Sequence, residues 1–461
     1  MKEINYGRVP QPKPDCTNIP IILSDETMQY RYQKVLKRMQ EENFDTLVIY
    51  ADLEHGSNFE YLCGFLPRFE EALLVMHQDG CNYMLMGNEN LNKVEHARIN
   101  AEAIHVPHFS LPNQPMDNKA SFSELLKAAK IESGKKVGIV GWKNFTSKYD
   151  DNHNLFDVPY YIVQEIKALA GGSEYVTNAA YLFIGEKGVR CINNVNELEH
   201  YEFGASLASD RMLEAMQRLN EGVSEMSIGD VLNAYGQRNS VVTIAAAGKR
   251  FIKANLYPTQ NQVKIGDPIS LTVGYKGGLS SRAGYAVHDA EELPAAAQNY
   301  LEAVVKPYYS AVVAWLENVH CGSSGNDVYQ LVENVLPKDQ YHWHLCPGHL
   351  TADEEWLASP IYENSQEVIE SGMLFQIDII PSVAGYAGTS CECSVALADE
   401  HLRENIKNTA PQFWQRIQAR RKYIIEELNI SLHPDILPMS STVAYLRPYL
   451  LNKDKAMLVS R

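Results

Sequence analysis

At 461 residues the chain is too long for one simple core, and two or three domains are expected. Hydrophobic residues make up 45% and charged residues 21%, the balance of a folded globular protein, which excludes wholesale disorder and a fibrous repeat. The formal charge of −16 is shared by both halves of the chain, so neither half is a basic platform for nucleic acid.

The start, Met1-Lys2-Glu3-Ile4-Asn5, leads into Pro10, Pro12 and Pro14 without an apolar stretch, so no secretory signal is expected. No window approaches the ~18 to 20 apolar residues of a membrane span. The eight cysteines are scattered through a large chain, which predicts reduced thiols and a cytoplasmic protein.

Ser24 is placed to cap a helix over 24–42, with Asp25 and Glu26 at its positive end and Val35, Leu36 and Met39 at helical spacing. Short β-like runs follow at Thr46–Tyr50, Ala72–Met76, Tyr83–Met86 and Val137–Val140. They alternate with helical stretches such as Phe122–Ile131, a pattern that predicts an α/β domain. Gly185-Glu186-Lys187-Gly188 and Asn193-Asn194 mark a boundary, giving domains over 1–192 and 193–461.

Beyond the boundary, Met212, Met216 and Leu219 recur at helical spacing within Glu197–Leu219. Val241–Ala246, Pro268–Val273, Met373–Ile380 and Cys391–Leu397 read as strands, and Ala296–Glu317 reads as a helix kinked at Pro307. Strands and helices mix here without βαβ regularity, so α+β is the expected class. Arg416, Arg420, Arg421 and Lys422 lie on a C-terminal helix and read as a solvated face, ahead of an anion or nucleic-acid patch.

Polar punctuation concentrates in 247–258, 266–287, 341–360 and 372–400. There the sequence resembles the pita-bread fold shared by methionine aminopeptidase, aminopeptidase P, prolidase and creatinase, the M24-type peptidases. Asn58-Phe59-Glu60-Tyr61-Leu62-Cys63-Gly64-Phe65 is similar to a motif of the creatinase-type N-terminal domain. The resemblance implies a creatinase-like α/β domain, then a pita-bread α+β domain with a C-terminal extension, assembled as a homodimer.

In the metallopeptidases of this fold, two aspartates, one histidine and two glutamates hold two divalent metals. Pro347-Gly348-His349 resembles the segment with the histidine, Gly372–Asp378 the segment ending in the first glutamate, and Gly388–Glu392 the segment carrying the last. The resemblance thus implies His349, Asp378 and Glu392 as catalytic residues, and as ligands of at most a single metal. Mn, Zn, Fe or Co suits one imidazole with hard carboxylates. Thr272 stands where the first aspartate is expected, and Ser281, or Arg282 with a one-residue shift, where the second is. Losing a bridging carboxylate removes the oxygen that holds two metals ~3.5–4 Å apart, so no dinuclear centre is expected.

Asn255 aligns with a substrate-contacting histidine of the family but cannot titrate near neutral pH. Trp356-Leu357-Ala358-Ser359-Pro360 occupies the place of a His-Glu-x-Pro element. His342 and His344 would share one face of a strand, and His344 is a candidate base beside His349. Cys391 and Cys393, flanking Glu392, would point away from the site into the core. Arg282 is expected to pair with Asp378 or Glu392, or else to bind a substrate carboxylate. Arg68 reads as a surface arginine paired with Glu70 or Glu71, or as a ligand contact.

The function expected is hydrolysis of a C–N bond in a small peptide or amide-like substrate, with one divalent metal or none and without nucleic-acid or membrane partners. The alternative is a catalytically silent binding or scaffold protein on the same fold.

Overall fold

The computed structural model describes residues 2–116 and 119–460. Two compact units divide it. One is Leu23–Cys191, and the other joins Ile192 onward to the segment up to Ile22.

The first unit is built on a six-stranded sheet in the order Glu102–His105, Asn82–Met86, Ala72–His77, Thr46–Ala51, Val137–Val140, Val176–Asn178. Ala72–His77 runs antiparallel to both neighbours and the other pairings are parallel. Every residue of the strands at 46–51, 72–77, 82–86 and 137–140 is buried, which explains why they read as continuous apolar runs rather than alternating ones. The helix expected at 24–42 forms over Asp25–Glu41, with Thr27 N donating to Ser24 Oγ at 3.1 Å.

In the second unit a long helix, Val195–Arg218, starts from a capping box of Asn194 and Glu197. It packs on a hairpin, Pro268–Tyr275 with Gly278–Tyr285, which is extended on the other side by Ile244–Ala247. The approach is close. A Cβ at Gly204 would stand 1.8 Å from the Lys276 carbonyl oxygen, and the turn residue Gly277 has φ +94. A four-stranded antiparallel sheet follows, in the order His349–Leu350, Leu374–Gln376, Ser394–Leu397, Ile436–Pro438. The kink expected at Pro307 takes the form of a π-helical turn over Leu301–Val305, just before the helix Lys306–Asn318.

Two expectations are corrected here. The segment up to Ile22 belongs with the C-terminal unit rather than with a domain over 1–192. Ile4–Arg8 pairs antiparallel with Lys455–Val459, and Asp210 accepts hydrogen bonds from the main-chain N–H groups of Asp15 (3.2 Å) and Cys16 (2.9 Å). The basic residues of the helix Pro411–Glu426 are also not a solvated face. Arg416 grips Glu202 through Nε and Nη2 (2.9 and 2.8 Å), and the buried Arg420 reaches both Glu202 (2.6 Å) and Asp15 (2.6 and 3.0 Å). Only Lys422 stays in solvent, with 70% of its side chain exposed.

Removing one member of a buried ionic network leaves the others desolvated and unpaired. Arg420→Met is expected to cost about 3–5 kcal/mol in urea unfolding followed by circular dichroism, while Lys422→Met stays within about 0.5 kcal/mol. Burial lifts the Asp210 carboxyl to about 6, outweighing the two N–H groups that favour its charge. Its folded pKa thus lies above the unfolded one, and its contribution to stability is full below pH ~4 and is lost as the pH rises through 6. Measured against Asp210→Asn, the wild type should lose stability by up to about 2 kcal/mol between pH 4.5 and 7.5. A flat difference would remove Asp210 from the pH response.

Candidate functional site

Cross-strand register assembles the site. His349 lies opposite Gln376, and Gln376 opposite Ser394, so these three side chains share one face of the sheet. Asp378 is two residues beyond Gln376, and Glu392 two before Ser394. The ladder bond from Ile377 N to Cys393 O (3.1 Å) carries the alternation that far, so both acids face the same way. The turn that delivers His349 depends on Gly348, at φ +128, and Trp315 Nε1 anchors it through the Pro347 carbonyl at 3.1 Å.

His349 is fully buried. Its Nδ1 lies 3.2 Å from the Leu350 carbonyl, which holds the N–H there and leaves Nε2 as the free lone pair. That nitrogen is 2.9 Å from Glu355 Oε1 and 3.7 Å from Asp378 Oδ2, without the alignment of a hydrogen bond. The Trp356 ring covers the imidazole, with centroids 4.0 Å apart and planes at 22°. Gln376 pins the far side of the cluster. Its amide N donates to Glu392 Oε1 (3.3 Å) and to the Leu279 carbonyl (3.1 Å), and its amide oxygen accepts from the Ser394 hydroxyl.

Charge is crowded around the buried imidazole. Burial raises Asp378 to about 6, with the His349 charge opposing the shift and Glu355 adding to it. Burial also raises Glu392 well above the carboxylate range, reinforced by Asp378 and Glu355. For His349, burial alone would lower the imidazole, but Glu355, Asp378 and the Leu350 carbonyl reverse the sign and raise it. Three carboxylates around one imidazole need a compensating cation or protons.

Ligand atoms of His349, Glu355 and Glu392 all lie within 4.8 Å of one another, and Asp378 Oδ1 is buried without a partner. This set fits one divalent cation: an imidazole nitrogen, hard oxygens and a free polar atom aimed inward. Beside it, Thr272 and Ser281 face each other across the hairpin with their hydroxyls 3.0 Å apart, and Ser281 N donates to the Glu392 carbonyl at 3.2 Å. Neither position carries a charge.

The structure therefore brings together His349, Asp378 and Glu392, and adds Glu355 and Gln376, which the sequence reading missed. The one available signal was the acidic run Asp353-Glu354-Glu355 close behind His349.

Other expectations are corrected. Residues 341–346 are not a strand. Tyr341 ends a short helical turn, His342 is left-handed at φ 51, and both His342 and His344 are exposed on an irregular segment. Arg282 pairs with neither carboxylate. As the neighbour of Ser281 it points to the opposite face, fully buried, and donates to the main-chain oxygens of Ser281 (2.6 Å), Glu392 (3.2 Å) and Thr442 (2.8 Å) and to Cys393 Sγ (3.4 Å). Cys391 and Cys393 point away from the site, as alternation predicts, toward Tyr308 and Thr442 respectively.

Asn255 sits exposed on a loop, where its main chain is tied to Arg250. No hydrogen bond joins it to the His349 cluster among the described residues. Arg68, in the first unit, lies 4.5 Å over the Phe69 ring instead of pairing with Glu70, which is buried and accepts from Glu89 N and Asn90.

The sequence profile of metallopeptidase family M24 matches residues 203–399, and that of the Creatinase/Prolidase N-terminal domain matches 31–177. No curated protein matches the chain. Among solved structures, the fold is similar to an Xaa-Pro dipeptidase from Bacillus anthracis, at TM-score 0.61 and 15% identity over 81% of this chain and 96% of that one. It is also similar to the prolidase from Pyrococcus horikoshii OT3, at TM-score 0.60, 16% identity and 80% and 95% coverage. For the X-Pro aminopeptidase from Thermotoga maritima MSB8 the values are 0.59, 14%, 80% and 95%.

Gln376 is the residue on which the orientation of Glu392 rests. Gln376→Met keeps its volume but strands the Ser394 hydroxyl and frees Glu392, and should cost about 1–3 kcal/mol in urea unfolding. Gln376→Glu, which keeps the acceptor for Ser394 but sets a carboxylate against Glu392, should be worse. Equal stability of both variants with wild type would remove Gln376 from this role.

Proposed function

Since the chain belongs to metallopeptidase family M24, with a creatinase-type N-terminal domain and a pita-bread domain, we propose that it hydrolyses the C–N bond of a short peptide of the Xaa-Pro kind around one divalent cation. The observation that carries the proposal is the convergence of His349, Glu355 and Glu392 ligand atoms within 4.8 Å, beside the unpartnered Asp378 Oδ1.

His349 Nε2, Glu355 and Glu392 would hold the ion, with Mn, Zn, Fe or Co suiting this donor set. Bound there, such an ion supplies an acidified water and polarises a carbonyl oxygen. The remaining work falls to side chains of the chain itself. Asp378, lifted to about 6, takes a proton from the attacking water at Oδ1 and returns it to the departing amine. Gln376 keeps Glu392 turned inward, and the Leu350 carbonyl keeps His349 in the tautomer that presents Nε2. Trp356 lies flat on His349 and excludes water from that side. Homodimeric assembly and a cytoplasmic location complete the proposal, the first on resemblance to creatinase and prolidase and the second on eight free thiols.

Purified protein loaded with Mn²⁺ and assayed by elemental analysis should hold one ion per chain. Glu355→Gln should lower its affinity about tenfold or more. Against a panel of Xaa-Pro and other dipeptides, His349→Ala should lower kcat/KM by at least about a hundredfold. Two ions per active chain, or turnover that His349→Ala leaves intact, would overturn the proposal. One tightly held ion with no turnover of any dipeptide would favour a binding protein.

A further inference from the structure

Trp356 does more than cover His349. Its ring lies on the imidazole, with 4.0 Å between centroids and 22° between planes, yet the residue stays 39% exposed while His349 beneath it is fully buried. The indole that seals the imidazole therefore presents apolar surface to solvent immediately beside the site.

Single exposed apolar residues are common on protein surfaces and need no explanation. Here they recur on the segments that build the site. Each of the three segments delivering His349, Glu355 and Asp378 exposes a large apolar side chain: Leu345 (40%) ahead of His349, Trp356 next to Glu355, and Ile380 (46%) two residues beyond Asp378. The first and last of these segments meet, because Ser382 N donates to the Tyr341 carbonyl at 2.8 Å and the Cys346 thiol lies within reach of the Asp378 charge. Among the described residues no lysine or arginine forms an ion pair with Glu355, Asp378 or Glu392.

The hydrolytic reading above, on which this inference rests, gives the substrate a direction. Asp378 returns the proton to the departing amine, so the residue on the leaving side lies toward Asp378, on the flank of Leu345 and Ile380. Trp356 covers the ring face of His349, off the plane in which Nε2 meets Glu355 and Asp378. It is left to the residue on the acyl side of the scissile bond.

We propose that Trp356 determines specificity at the hydrolytic site, its exposed indole packing against a large apolar side chain, aromatic or branched aliphatic, of the acyl-side residue. Such a side chain laid on the indole removes water from both surfaces, and an aromatic one adds ring stacking. Glycine offers no such contact.

The test compares Phe-Pro, Leu-Pro, Gly-Pro and Lys-Pro as substrates of the full chain loaded with Mn²⁺. Alongside, calorimetry measures binding of uncleavable Phe-Pro and Gly-Pro analogues whose scissile carbonyl is reduced to a methylene. Phe-Pro is expected to exceed Gly-Pro by at least about tenfold in kcat/KM, and the analogues to differ similarly in Kd. Trp356→Ala should cut both ratios below about threefold, while Trp356→Phe, which keeps an aromatic face, should retain most of each. A ratio near one, a preference for Lys-Pro, or a ratio that Trp356→Ala leaves intact would overturn the proposal even if dipeptides are hydrolysed. Absence of turnover with the Trp356-dependent binding ratio preserved would support it and overturn the hydrolytic reading alone. Neither turnover nor binding would overturn both.

Discussion

Three carboxylates crowd around a single buried imidazole, and the rest of the candidate site is arranged around that crowding. Burying one ionised carboxylate without compensation costs several kcal/mol, so the buried Asp378 and Glu392 cannot both stay charged unless a cation or protons join them. The surrounding contacts have the form expected of a site that must hold such groups still. Gln376 fixes Glu392 from one side, the Leu350 carbonyl sets the His349 tautomer from another, and Trp356 closes the third. Each of these contacts restricts a group whose motion would otherwise let water in and relax the charge.

Strand register turns that constraint into structure. Side chains alternate between faces, so a slip of one residue along Ser394–Leu397 would carry Glu392 out of the site and turn Cys393 in. The hairpin of Pro268–Tyr275 with Gly278–Tyr285 obeys the same rule. Because Ser281 faces Thr272, its neighbour Arg282 must face the core, where main-chain oxygens and Cys393 receive it. The arginine therefore does not fill the place of a missing ion. Its positive charge lies on the far side of the strand, and among the described residues no arginine forms an ion pair with the carboxylate cluster.

Much of the fold was legible because its signals are local. A serine cap, helical spacing and unbroken apolar runs identify Asp25–Glu41, Thr46–Ala51 and Ala72–His77 without reference to the rest of the chain. Features made by distant pairing were not legible. The assignment of the first 22 residues failed because their partner strand is Lys455–Val459, and Arg416 and Arg420 read as solvated because Glu202 and Asp15 are remote in sequence. In the site, His349, Asp378 and Glu392 were reached through family resemblance, which transfers positions. Glu355 was not, since an acidic run after a histidine looks like an exposed loop until the fold turns Glu355 onto His349. The strand drawn through His344 failed for a local reason, the left-handed turn at His342.

The buried arginines of the C-terminal unit show where charge has been placed in an acidic chain. Arg420 is answered by carboxylates from the N-terminal segment and the long helix, and Arg282 by carbonyls and a sulfur. Arg447 is answered by the carbonyls of Met216 and Leu450 and by the neighbouring Tyr445 phenol. Most of the acidic excess lies at the surface, where it cannot reach these cations through a low-dielectric core except by an ion pair. Asp15 meets that requirement for Arg420 only because the strand pairing of Ile4–Arg8 brings the N-terminal segment back onto this unit. The return of the chain's first residues thus positions the counter-charge of an arginine 405 residues further along the chain.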